Sequence, residues 1–268
     1  MLGDDPMQQQ LSGKRALVCG ATAGIGRAAA EALAAMGASV TLAARDLGKL
    51  ESTRAALPTA SGQTHAIMQA DFARPAEVRR GAERILADHG PHHILINNTG
   101  GPPGGPLLDA TPEQFAFAID TQLLSAHHLV QALAPGMKAA RFGRIVNVIS
   151  TSVKQPIPGL GVSNTARGAV ANWAKTLAGE LGPAGITVNN VLPGFTRTDR
   201  LAALVKANAA KRGLTEAAIE AEMLASIPAG RFADPAETAA AIAFLASPLA
   251  GYINGINLPV DGGRLACL

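Results

Sequence analysis

Three glycines, Gly20, Gly24 and Gly26, stand at spacings of four and two between a short apolar run (residues 16–19) and an alanine-rich stretch from Ile25 to Met36. That order reads as strand, tight turn, helix. A helix opening straight out of a turn presents unpaired N–H groups and its positive dipole end to the turn, and glycines let a ligand touch the backbone. The chemistry on offer is the binding of a diphosphate. The spacing departs from G-x-G-x-x-G, and in a chain with 29 glycines it is the position, at the head of repeated strand and helix units, that gives the turn its weight. Other residues able to do chemistry close later apolar runs: Arg45, Asp71, Asn97, Ser150 and Pro193. His89, His92 and His93 have the spacing of a metal cluster, but they precede a strand instead of closing one, at the opposite end from the glycine turn, so no metal site is expected.

The elements that must position these residues follow from the pattern of the chain. Apolar strand runs are expected at 16–19, 39–44, 65–70, 94–97, 144–149, 186–191 and 256–260. Helices are expected at 46–57, 75–88, 112–133 (capped by Thr111, with Pro112 at its first position), 164–181 and 235–246. Residues 98–106 (NTGGPPGGP) are too rich in Gly and Pro for regular structure, and 196–226 reads as a helical insertion, a lid over something. Strands alternating with helices require a parallel sheet, because parallel neighbours need crossovers and crossovers are right-handed. The expected fold is therefore α/β: a single-domain, Rossmann-type, doubly wound parallel sheet of about seven strands with helices on both faces. Such sheets bind ligands beyond the carboxyl ends of the strands, where the winding reverses.

Composition narrows the function classes. With 268 residues, 48% hydrophobic and 16% charged, the chain can bury one large core, expected over residues 13–268 behind a mobile polar tail at 1–12. No apolar run is long enough to span a bilayer and the first ten residues lack a basic-then-apolar leader, so a soluble, cytoplasmic protein is expected. Two cysteines at opposite ends, Cys19 and Cys267, fit a reducing compartment. A net charge of +3 comes from scattered Lys and Arg with only 3% aromatic residues, which argues against a nucleic-acid surface.

Over about residues 12–263 the chain resembles the short-chain dehydrogenase/reductase family, its 3-oxoacyl-carrier-protein reductase branch in particular. CGATAGIG (19–26) is similar to the family's Thr-Gly-x-x-x-Gly-x-Gly, and Asn97-Asn98-Thr99-Gly100 to its Asn-Asn-Ala-Gly. VNNVLPGFTRT (188–198) resembles its Pro-Gly segment, and residues 230–263 its C-terminal ending. The resemblance implies that Gly20, Thr22, Ala23, Gly24, Ile25 and Gly26 cradle a nicotinamide dinucleotide. Asn97, Thr99 and Gly100 would line its path, and Pro193, Gly194, Thr196 and Thr198 would flank the nicotinamide. Asp71, with Phe72, lies where the family meets the adenine, or Asp71 simply turns the chain into the next helix. The second strand ends Ala44-Arg45 with no carboxylate at the family's acidic position, which favours the 2′-phosphate of NADP(H) over NAD(H); the lesser alternative is that Arg45 caps a surface strand end, neutralised by Asp46.

The catalytic motif departs from the family. Ser150 matches the family's serine, but the expected Tyr-x-x-x-Lys reads Ser163-Asn164-Thr165-Ala166-Arg167, and Gln122 falls at the family's asparagine. The chain's one tyrosine, Tyr252, lies near the C-terminus. An alkyl hydroxyl is a far weaker acid than a phenol, so Ser163 is no plain replacement. Arg167 cannot release a proton but can hold the nicotinamide ribose and offer N–H groups to an oxyanion. Lys154, His127 and His128 are alternative sources of a proton, or plain surface and packing residues. The reading is an NADP(H)-dependent oxidoreductase acting on a small carbonyl or alcohol, 3-oxoacyl-type compounds included, with Ser150, Ser163, Arg167 and Gln122 around the reacting oxygen. The alternatives are a nucleotide-binding sensor or partner subunit that has lost or rerouted hydride transfer, and a non-redox enzyme such as a lyase. Apolar residues on several faces of the 112–133 and 164–181 helices (Leu124, Leu129, Leu133; Val170, Trp173, Leu177) suggest a homotetramer or dimer.

Overall fold

A computed structural model describes residues 10–267. The polar tail expected over residues 1–12 falls largely outside these; of the part described, Leu11 is fully buried and its N–H donates to Met36 O, so the packed domain already includes it. The chain alternates strand and helix: β1 (Arg15–Cys19), α1 (Gly24–Ala35), β2 (Ser39–Ala44), α2 (Leu47–Ala56), β3 (Ala66–Gln69), α3 (Pro75–His89) and β4 (Ile94–Asn97). After the Gly/Pro loop come α4 (Pro112–Ile119), a π turn (Asp120–Leu124), α5 (Ser125–Ala139), β5 (Gly143–Val148), α6 (Gly161–Leu181) and β6 (Ile186–Pro193). The insertion forms α7 (Asp199–Arg212) and α8 (Glu216–Ala225), followed by α9 (Pro235–Ala246) and β7 (Asn257–Val260).

The seven strands form one parallel sheet in the order β3-β2-β1-β4-β5-β6-β7. Winding reverses between β1 and β4, which opens a cleft above their carboxyl ends. Side chains alternate across the pleat: Ala16 and Val18 enter the core under α1 and α9, while Leu17 and Cys19 enter the core under α3, α5 and α6. Both faces of β1 are therefore dry, and burial raises the Cys19 thiol to about 12, so it serves as a small apolar side chain.

Three differences from the sequence reading bear on the site. The helix expected at 112–133 runs on to Ala139 and is interrupted by the π turn, where Ser125 N–H reaches back five residues to Asp120 O; one extra residue is accommodated at the turn that carries Gln122. Helix α6 starts at Gly161, three residues earlier than expected, because the Gly/Pro loop packs on its first turn: Gly105 N–H donates to Gly159 O, and a Cβ on Gly161 would lie 2.6 Å from Leu107 Cδ1. Ser163 thus sits inside the helix, not before it. Finally, the outward apolar stripe is narrower than its composition suggests. Leu129, Leu133 and Val170 are in the core, which leaves Leu124 exposed and Trp173 and Leu177 half-buried.

Candidate active site

The glycine turn is built as its composition demands. Gly20 and Gly24 have φ of +60° and +52°, where a Cβ is strained, and a Cβ on Gly26 would lie 2.2 Å from Gly20 O. Asn98 Nδ2 donates to Cys19 O and pins the β4 loop against the turn. Helix α1 opens from Ala23 with no side-chain cap and no acidic residue in its first turn, whereas Asp46, Thr111, Thr198 and Thr215 cap α2, α4, α7 and α8. Its first N–H groups are left for an anion, so the cradle fits a diphosphate.

From this turn a hollow of about 430 Å³ runs past Thr22 and Thr99 to Arg45, Lys49 and Asp71. Asp46 lines the same hollow; its Oδ1 accepts from Lys49 N–H as the cap of α2, and among the described residues it makes no ion pair with Arg45 or Lys49. Gln69 Nε2 donates to Arg45 O and fixes the backbone from which Arg45 projects. Asp71 answers to both of its expected roles, since it lines the hollow and its Oδ1 also accepts from Ala73 N–H in the turn into α3. Phe72, Asn98 and Gly100 border the same space.

A second hollow, of about 210 Å³, continues beyond Asn98 and Thr99 toward the ends of β5 and β6. Ile25, Ile149, Pro193 and Gly194 form its walls and α7 covers it. Thr196 Oγ1 donates to Gly194 O, and Thr198, whose Oγ1 accepts from Leu201 N–H, packs so close to the glycine turn that a Cβ on Gly24 would lie 3.0 Å from its Cγ2. At the base of this hollow is Arg167, buried. Its Nη1 donates to Val148 O at 2.7 Å and its Nη2 to Thr99 O at 3.1 Å. Burial, and after it the charge of Arg200, lowers this guanidinium to about 10, which leaves it protonated at neutral pH. Among the described residues it has no carboxylate partner, so the buried positive charge is held by carbonyl dipoles alone.

Of the other expected site residues, Gln122 shares a cavity with Arg167, whereas Ser150 and Ser163 line neither hollow. Ser163 is buried one helical turn before it on the same face of α6. Ser150 follows β5, and its Oγ accepts from Ser152 N–H. Gln122 and Arg167 border one small cavity; Gln122 Nε2 reaches Gly100 O at 3.5 Å, while its Oε1 is buried with no hydrogen-bond partner among the described residues. The alternative proton sources, Lys154, His127 and His128, line none of these cavities, and His128 Nδ1 is buried with no hydrogen-bond partner among the described residues. His127 Nδ1 accepts from Trp173 Nε1 and its ring meets the indole edge-on, which is a packing role between α5 and α6. His92 Nε2 pairs with Thr41 Oγ1, and His93 Nδ1 accepts from Arg15 N–H, so these rings tie the start of β4 to β1 and β2. Tyr252 is fully exposed, and Lys154 is half-buried outside both hollows.

Sequence reasoning missed two features. Arg200, in the first turn of α7, lines the second hollow and donates from Nη1 to Gly101 O. Four asparagines also form an amide ladder across the sheet: Asn97 Nδ2 donates to Asn147 Oδ1 (2.8 Å), Asn147 to Asn190 (2.9 Å) and Asn190 to Asn257 (2.8 Å). Asparagine recurring inside apolar strand runs was the available signal, because a buried amide needs partners.

Comparison with known proteins places the chain among relatives. The family model described as enoyl-(acyl carrier protein) reductase matches residues 20–264. The chain is 38% identical over 253 residues to the 3-oxoacyl-[acyl-carrier-protein] reductase FabG of Vibrio cholerae, covering 94% of this chain and 98% of that one. The L-sorbose reductase of Gluconobacter frateurii, solved with NADPH and L-sorbose, has a TM-score of 0.91 at 31% identity over 98% of this chain and 100% of its own. A short chain oxidoreductase of Pseudomonas aeruginosa, described as containing an atypical catalytic center, has a TM-score of 0.85 at 32% identity over 96% and 99%.

Proposed function

We propose, for a chain that belongs to the short-chain dehydrogenase/reductase family, hydride transfer between NADP(H) and a small carbonyl or alcohol, 3-oxo compounds included. Arg45 and Lys49 would take the 2′-phosphate, the glycine turn the diphosphate, Asp71 and Phe72 the adenine side, and Pro193, Gly194, Thr196 and Thr198 the nicotinamide side. Bound there, the reduced cofactor supplies hydride to a carbonyl carbon.

The observation that carries the reading is Arg167. A buried, protonated guanidinium with two of its five N–H groups spent on Val148 O and Thr99 O keeps donors for the oxygen on which negative charge develops. Ser163, one helical turn before Arg167, and Ser150, after β5, would add hydroxyl donors, and Gln122 braces the Gly100 loop. None of these groups releases a proton readily, so the alkoxide takes its proton from water, and turnover is slow by roughly the 10²- to 10⁴-fold that a positioned acid contributes. The lid formed by α7 and α8 selects the substrate, and Leu124, Trp173 and Leu177 supply an interface for a homotetramer. No helix of the described residues is long and apolar enough to cross a membrane, and we assign the protein to the cytoplasm.

The test is NADPH consumption with a panel of ketones, aldehydes and quinones, run with Arg167→Met as the control. Slow turnover that Arg167→Met abolishes, with NADPH preferred to NADH, supports the proposal. Tight NADPH binding with no turnover of any carbonyl would transfer the protein to the sensor class. Light scattering that shows a monomer at micromolar concentration would refute the assembly.

A further inference from the structure

We propose that the second hollow takes a carbonyl substrate bearing a carboxylate, a short 3-oxo acid, with Arg200 as the residue that binds the carboxylate and sets the specificity. The inference rests on the hydride-transfer reading and deepens it. Two guanidinium groups, Arg167 at the base and Arg200 at the mouth, face a hollow whose lining among the described residues contains no Asp or Glu. Neither makes an ion pair among the described residues, while every other pairing of Arg with a carboxylate there lies elsewhere on the surface. The hydrogen bond Arg200 makes among the described residues runs from Nη1 to Gly101 O at 3.3 Å, and its Nη2 would lie 2.7 Å from a Cβ at that glycine. Gly101 therefore leaves the guanidinium room to lie across the mouth. After burial, the charge of Arg200 lowers the proton affinity of Arg167, so the two cations act on one hollow, and an anion there would offset their positive field.

The cofactor does not account for that anion, because its phosphates are already matched in the first hollow by Arg45, Lys49 and the uncapped N-terminus of α1. The nicotinamide side assigned to Pro193, Gly194, Thr196 and Thr198 lies in the same hollow of about 210 Å³, so only its part toward Arg200 is left for the substrate, which favours a short one over a long acyl chain. A 3-oxo acid presents its ketone oxygen to Arg167 and its carboxylate to Arg200, and a guanidinium fork suits a carboxylate geometrically.

The experiment compares acetoacetate with ethyl acetoacetate, the same ketone with and without the charge, in NADPH consumption by the full chain, by Arg200→Gln and by Arg200→Lys. Wild type is expected to favour the acid over the ester at least tenfold in kcat/KM. Arg200→Gln should reduce that ratio at least tenfold and Arg200→Lys should keep most of it, with the Kd for NADPH within twofold throughout. Equal use of acid and ester by wild type, or a ratio that survives Arg200→Gln, overturns the inference with the oxidoreductase reading intact. A tenfold weaker Kd for NADPH in Arg200→Gln also overturns it, by making Arg200 a cofactor residue. If neither compound is turned over, calorimetric titration of both into the NADP⁺ complex reads the same ratio: tighter binding of the acid upholds the anion site and sinks hydride transfer, and equal binding overturns the anion site.

Discussion

Restoring a phenol to this site should speed the reaction, and by an amount that can be bounded. Ser163 and Arg167 lie four residues apart on one face of α6, about 6 Å along its axis and both buried, and Arg167 reaches Val148 O at the end of β5 and Thr99 O beyond β4. On the proposed reading the developing alkoxide takes its proton from water, a far weaker acid than a tyrosine phenol, which titrates near 10. A positioned acid contributes about 10²- to 10⁴-fold, equivalent to roughly 3–5 kcal/mol of barrier. Ser163→Tyr combined with Arg167→Lys should therefore raise kcat/KM for a simple activated ketone by about 10²-fold or more. The lysine keeps a cation near Val148 O and Thr99 O but gives up the planar fork that reaches both. Each single change should do less than the pair, since Arg167→Lys alone brings no acid and Ser163→Tyr alone places the ring against a bulky guanidinium. The assay is NADPH absorbance with wild type, both singles and the double, alongside the Kd for NADPH and the melting temperature of each. A double variant that binds NADPH and melts as wild type does, yet gains nothing, refutes the argument that a missing proton donor limits the rate.

Three further outcomes are expected. Arg45→Ala should remove about tenfold or more of the preference for NADPH over NADH in calorimetry, because it deletes a charge-assisted contact to the 2′-phosphate, and equal weakening of both cofactors would count against that role. Gly26→Ala should abolish NADPH binding and cost about 1–3 kcal/mol in urea unfolding, since its Cβ meets the Gly20 carbonyl at 2.2 Å; wild-type affinity in this variant would contradict the geometry of the turn. Burial lowers the His92 imidazole to about 4, so between pH 6.5 and 4 the unfolded chain binds a proton that the native protein resists, and stability is lost as the pH falls through that window. Unfolding free energy should drop by roughly 2–3 kcal/mol between pH 7.5 and 4.5 on this account, and His92→Gln should remove most of that drop; an unchanged pH dependence would show that other groups carry it.

The sequence by itself determined what depends on near neighbours. Alternating apolar runs and helical stretches specified the doubly wound sheet, because period and crossover handedness leave few alternatives. The turn at Gly20, Gly24 and Gly26 and the Thr111 cap before Pro112 were legible because each is decided within a few residues. The loss of the tyrosine and lysine was equally plain in Ser163 and Arg167. What the tertiary structure decided is everything that depends on how distant segments meet. Asn97, Asn147, Asn190 and Asn257 form one ladder only because the parallel register sets them side by side. The start of α6 and the depth of Ser163 depend on a loop more than fifty residues upstream packing onto Gly161. Leu129, Leu133 and Val170 face inward because α5 and α6 lie against the sheet at an angle that periodicity does not specify. Arg200 reads as one more charge on a helix until α7 folds over the ends of β5 and β6, because a residue's charge is local but the field it shares with Arg167 arises only where the chain brings the two together.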